Sequence, residues 1–188
     1  MSKQAPDGRD HYLADFRKFT LNGGAHAPAW LMELRERAAG QFAKIGFPTV
    51  KEEAWRFTSV SSLLETPFTP ARSDVVHSAS ALAGLTVGGD AGNRLVFVNG
   101  RFESAPSSVR GLPPGVRFES LQSALETSPE VVRKHLGQHA RFDENGFTAL
   151  STAFVRDGAF LHIPRGVDLR DPLEILFLSA PVGGAWVS

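Results

Sequence analysis

His135 and His139 stand four residues apart, with Asp143 and Glu144 close behind them. On one continuous helix the two imidazoles would share a face and, with Asp143, could hold a metal ion for hydrolysis. Two features oppose this reading. Gly137 falls between the histidines, where the helix is expected to stop, and the catalytic Glu of an H-E-x-x-H motif is missing. Surface histidines at a helix end, where a cation suits the dipole, are the favoured reading. His162 in "FLHIP" reads as a packed or solvent-facing strand residue. "VGGDAGN" (87–93) has the glycines of a phosphate loop but neither the Lys-Ser/Thr of a P-loop nor G-x-G-x-x-G spacing. There is no G-x-S-x-G elbow, and no spacing ties two carboxylates to one pocket. Catalytic, cofactor-binding and metal residues are therefore all assigned as none.

"FPTVKEEAWRFTSV" (47–60) is the most distinctive stretch. Trp55 and Phe57 each bring a large apolar surface, worth about 2–3 kcal/mol when enclosed. Lys51, Glu52 and Glu53 could supply caps and ion pairs. The favoured expectation is an aromatic latch that fastens a helical arm to the next layer of the protein; a ligand site is the lesser alternative.

Composition narrows the function classes further. The 188 residues, 42% hydrophobic and 21% charged, suit an ordinary globular chain of about one domain. Twenty basic residues balance twenty acidic ones, and no block of Lys/Arg exceeds two, which disfavours nucleic acid. Cysteine is absent, which removes disulfides, thiolate nucleophiles and sulfur-ligated metal sites from these residues. The start "MSKQAPDGRDHY" lacks the apolar core of a signal peptide, and no run approaches a membrane span. A cytoplasmic location without membrane contact is expected.

The elements that must position these residues follow from periodicity. Leu13, Phe16 and Phe19 predict a helix over 10–20, ended by Gly23-Gly24. Pro28 starts a second over 28–45, with Leu31, Leu34, Ala38, Phe42 and Ile45 recurring at intervals of three or four. Gly46 stops it and Pro48 keeps it from resuming. A short helical turn is expected from Glu52 to Phe57. Pro67, Pro70, Gly88, Gly89 and Gly92 mark a loose connection. "RLVFVNGRFES" predicts a hairpin about Asn99-Gly100. "SLQSALE" and "SPEVVRKHLG" predict helices, the latter with Ser128 as N-cap and Gly137 as stop. "FTALSTAFV" places Phe147, Leu150 and Phe154 on one helical face. "AFLHIP", "GVDL" and "PLEILFLS" predict short strands of a sandwich, barrel or parallel β-helix. The apolar ending, with an exposed-looking Trp186, lacks the further coils and polar cap that stacked strands require. It suggests the front part of something longer, poorly soluble or oligomeric by itself.

The string "GFPTVKEEAWRFTSVSSLL" (46–64) is similar to the N-terminal signature of the SufB/SufD family of iron–sulfur cluster assembly proteins, and closer to its SufD branch. Gly46, Phe47, Pro48, Glu53, Trp55, Arg56, Thr58 and Leu63 fit that signature, with Phe57 where Tyr is usual. "LVFVNGRF" resembles the family's hairpin. "FTALSTAFVRDGAFLHIPRGVDLRDPLEILFL" resembles its Asp-Gly…Ile-Pro stretch, with Ser151-Thr152 in place of the usual Asn.

The resemblance implies an α+β chain whose helical N-terminal region leads into short strands beginning a right-handed parallel β-helix, here truncated. The divisions expected are 1–66 helical, 67–93 linker, 94–156 mixed hairpin and helices, and 157–188 first strands of the β-helix. It implies a non-enzymatic scaffold subunit, partnered by a SufB-like sister subunit and a SufC-like ATPase and linked to iron acquisition. It implies no cofactor bound by this fragment, the iron–sulfur cluster and ATP being handled by the parent complex. The rival readings are a small metal-dependent hydrolase using His135, His139 and Asp143, and a carbohydrate-binding β-solenoid.

Overall fold

The computed structural model describes residues 8–22, 27–66, 68 and 92–179. Trp186, the Gly23-Gly24 stop and most of the 67–93 connection, including nearly all of "VGGDAGN", lie outside them. The chain divides into two compact units. One is drawn from Met1–Thr69 and Arg133–Val155, the other from Pro70–Val132 and Arg156–Ser188.

The first unit is helical. Helix α1 runs Arg9–Asn22 and α2 runs Ala29–Ile45. Gly46 ends α2 at φ 65°, a left-handed conformation that suits glycine, and its N–H donates to the Phe42 carbonyl. A 3₁₀ turn, Glu53–Trp55, and the single-turn α3, Ser61–Leu64, follow. The unit is completed by α6, Gly146–Ala153, whose N-cap Asn145 accepts from the N–H groups of Phe147 and Thr148.

The buried face of α2 carries Leu31, Arg35, Ala38, Ala39 and Phe42. The sequence pattern missed Arg35 and included Ile45, which is exposed at the end of the helix. On α6 the buried residues are Gly146, Ala149 and Ala153, while Phe147, Leu150 and Phe154 are only half-buried. The reason is steric. Small residues on the contact stripe let α6 close against Ala38, Ala39 and Phe42 of α2, and the aromatic rings fill the flanks.

The second unit is mixed. β1 (Asn93–Val98) pairs antiparallel with β2 (Arg101–Ser108) across Asn99-Gly100, at φ 49° and 74°. Two positive φ values suit a hairpin turn whose twist matches the strands, and Asn-Gly adopts them readily. β1 also pairs parallel with β5 (Leu173–Leu178), in register from Asn93↔Leu173 to Val98↔Leu178. The sheet order is β2-β1-β5. As the middle strand, β1 buries the continuous run Leu95, Val96, Phe97 and Val98. A bulge between Arg94 and Val96 is bridged by Ser107, whose Oγ accepts from Val96 N–H at 2.9 Å.

A second sheet pairs β3 (Arg117–Ser120) antiparallel with β4 (Ala159–His162). Helix α4 (Leu121–Thr127) follows β3 directly, with Ser120 as its N-cap. The short α5 spans Pro129–His135. "GVDL" is not a strand: Val167 N–H donates to the Pro164 carbonyl, closing a turn, and a strand needs a ladder partner. The class is therefore α+β, helices first and short strands in two small sheets later. No coil of stacked strands closes among the described residues. None of the described helices is long and apolar enough to cross a membrane.

Candidate functional site

The distinctive stretch 46–58 begins at the stop of α2, and Phe47 is its hub. Phe47, 7% exposed, meets Phe147 at a tilt, 5.3 Å between centroids, and meets Phe42 at 5.0 Å and Tyr12 at 5.4 Å edge-on. Such edge-to-face pairs add about 0.5–1.5 kcal/mol each beyond area burial. Trp55 continues the stack, 5.5 Å from Phe147. The charged run holds the turn between them. Glu52 Oε1 accepts from Thr49 N–H at 2.8 Å, Thr49 Oγ1 accepts from Lys51 N–H at 3.3 Å, and Trp55 N–H returns to the Glu52 carbonyl. This is a latch, built by Phe47 and Trp55 on α6.

Phe57 takes no part in it. It is 88% exposed, with the Arg56 guanidinium 4.6 Å above its ring and Glu53 paired to Arg56. The sequence reading made Phe57 a second anchor. Residues two apart on the tight turn at Glu53–Trp55 point to different sides, so packing Trp55 on Phe147 leaves Phe57 in solvent.

His135 and His139 do approach each other, as near-parallel rings 6.3 Å apart, and both are exposed. They are not on one helix, since α5 ends at His135 and Gly137 takes φ 74°. Asp143 is engaged elsewhere, 3.0 Å from Arg141, and that hydrogen bond holds its carboxyl below the ordinary range. Among the described residues no three of His, Cys, Asp or Glu form a group able to hold a metal ion. His162 is half-buried in β4, opposite Arg117 of β3.

Two charged residues that the sequence reading passed over organise the two units. In the first unit, Arg35 is 3% exposed; its Nε donates to the Val155 carbonyl at 2.9 Å, and its guanidinium lies 5.1 Å from the Phe19 ring. One side chain thus ties α2, α1 and the exit of α6. In the second unit, Asp157 accepts three backbone N–H bonds: Gln122 at 3.1 Å, Gly158 at 2.9 Å and Phe102 at 3.3 Å. It joins β2, the start of α4 and the entry to β4. The only signal in the sequence was its place in an Asp-Gly turn.

The β1–β5 ladder carries the remaining surface of interest. Arg94 and Glu174, directly opposite in register, form an ion pair that is mostly buried. Beyond them Ile175 and Phe177, register partners of the buried Leu95 and Phe97, remain 42% and 62% exposed, and Phe177 stacks on Phe97 at 5.0 Å. The arrangement offers an apolar strand and no constellation for group transfer.

A family model described as the SufBD protein N-terminal region matches residues 7–175. An iron–sulfur cluster assembly SufBD family protein of Synechocystis is 30% identical over 149 residues, covering 79% of this chain and 32% of the relative. The iron–sulfur cluster assembly protein SufD of Bacillus subtilis is 25% identical over 158 residues, covering 80% of this chain and 35% of its own. The SufB protein of the same organism is 32% identical over a shorter stretch of 63 residues, 34% of this chain and 14% of its own. The chain spans about a third of the length of the first two relatives.

Proposed function

The chain belongs to the SufB/SufD family through its N-terminal region, and on that premise we propose that it serves as a SufD-like scaffold subunit in iron–sulfur cluster assembly. The observation that carries this reading is the family match over residues 7–175, joined by relatives of both SufB and SufD name. Longer coverage by the SufD protein than by the SufB protein favours the SufD role.

In this reading the protein contributes shape. The helical unit is a rigid platform latched by Phe47 and Trp55. The parallel β1–β5 pair is the first rung of a right-handed parallel β-helix, supported by six in-register partners and by the right-handedness of parallel crossovers. Ile175 and Phe177 supply the apolar rows on which further coils stack. The partners are a SufB-like sister subunit and a SufC-like ATPase, and the work takes place in the cytoplasm. The subunit makes no covalent intermediate of its own.

Co-expression of the full-length gene product with its cognate ATPase and sister subunit tests this. A ternary complex that survives gel filtration and accumulates an iron–sulfur chromophore is expected. A full-length product that purifies free of both partners overturns the proposal.

A further inference from the structure

Helix α1 holds a second constellation, apart from the latch. His11 and Asp15 are four residues apart and so share a face of α1. Asp15 is 6% exposed. Its Oδ1 takes the Lys18 ammonium at 2.8 Å, but its buried Oδ2 accepts no hydrogen bond. The group facing that oxygen is His11 Nε2, an ion-pair partner at 3.5 Å, and the same nitrogen is hydrogen-bonded at 2.9 Å to the Phe68 carbonyl oxygen, through an N–H that a bound ion would replace with release of the proton. A buried carboxylate oxygen that accepts no hydrogen bond is costly and calls for an explanation.

We propose that His11 Nε2, Asp15 Oδ2 and the Phe68 carbonyl bind one divalent metal ion of the manganese, ferrous iron or zinc class. At bond lengths of about 2.0–2.2 Å, neighbouring ligands stand about 3 Å apart at an octahedral angle and about 3.5 Å apart at a tetrahedral one. The two separations, 2.9 and 3.5 Å, span that range, as the edges of one distorted site would. An ion there would satisfy that oxygen, with water completing its coordination. One imidazole with two oxygen donors and no thiolate suits these metals over copper(I). The His11 side chain is 36% exposed, which leaves an entrance, while the carboxylate side is closed. Lys18 opposes the ion, because its ammonium sits on the other oxygen of the same carboxylate; being 71% exposed, it can swing away. The inference stands on α1 and Phe68 alone and does not depend on the family reading.

Titration of the whole 188-residue chain with Mn²⁺, followed by loss of the free-ion electron paramagnetic resonance signal, tests it. One saturable site per chain is expected. His11→Ala and Asp15→Asn should each weaken it by more than about tenfold, the scale at which even outer partners of metal ligands act. Lys18→Gln should tighten it severalfold. Absence of a saturable site overturns the proposal, as does stoichiometric binding that all three variants leave unchanged. Should circular dichroism show that the two ligand variants do not fold, the surface variant Lys18→Gln decides, together with Mn²⁺ broadening of the histidine resonances. Selective broadening of His11 supports the site, and broadening confined to other histidines overturns it.

Discussion

Gly146 lies so close to the backbone of Gly46 that a Cβ on it would stand 1.8 Å from the Gly46 carbonyl oxygen. The stop of α2 and the first turn of α6, 100 positions apart in the chain, are therefore in backbone contact. Phe47 follows the first glycine and Phe147 the second, and their rings pack against one another. The latch is a consequence of this approach, since only glycine permits it.

Gly146→Ala cannot be accommodated by a side-chain shift, because the obstruction is backbone. It should destabilise the helical unit by at least about 3 kcal/mol, in the range kept for severe core lesions. Gly40→Ala is the control. Its Cβ would meet nothing within 4 Å on the exposed face of α2, so it should stabilise by about 0.5–1 kcal/mol through helix propensity. Urea unfolding of the two variants should move the midpoint in opposite directions.

Phe47→Ala and Phe57→Ala separate the two aromatic residues of the signature. The first removes the ring on which Tyr12, Phe42 and Phe147 converge and should cost about 3–5 kcal/mol. The second removes an exposed ring and should stay within about 0.5 kcal/mol. Equal midpoints in thermal melts would contradict the latch.

Arg35→Met keeps the apolar stem and removes the charged head. It leaves the Val155 carbonyl without its 2.9 Å donor and should cost about 1–3 kcal/mol. Hydrogen exchange at the end of α6 should quicken, while the amides of β1, in the other unit, stay protected.

Asp157→Ala deprives three backbone N–H groups of one acceptor. A loss of about 2 kcal/mol or more is expected, by analogy with hydrogen bonds to charged groups. The amides of Phe102, Gln122 and Gly158 should lose exchange protection together. Independent behaviour of the three would show that Asp157 does not hold them as a unit.

Much of the local structure was legible in the sequence because local rules decide it. The 3.6 period of 28–45, the glycine after Ile45 and the Asn-Gly hairpin each depend on a few neighbouring residues. Failures occurred where distant neighbours decide. Ile45 continues the apolar spacing but lies at the helix end, where it stays 39% exposed. Arg35 breaks the spacing but finds a carbonyl 120 residues away. "GVDL" has strand composition and no partner strand. The latch was anticipated as a role, but its membership was half wrong, since Phe57 faces outward and Phe147 takes the place given to it.

The sequence by itself determined most of the element types, the α+β class, the family signature and the lack of cysteine in these residues, since these rest on residue identity and short-range spacing. Only the tertiary structure decided which residues serve as joints. Gly146 against Gly46, Arg35 on Val155, Asp157 under three amides and His11 beside Asp15 and Phe68 share one physical reason. Apart from the His11–Asp15 spacing, which a helix sets, each depends on short-range steric and polar contacts between segments far apart in the chain, and periodicity within one segment carries no record of what packs against it.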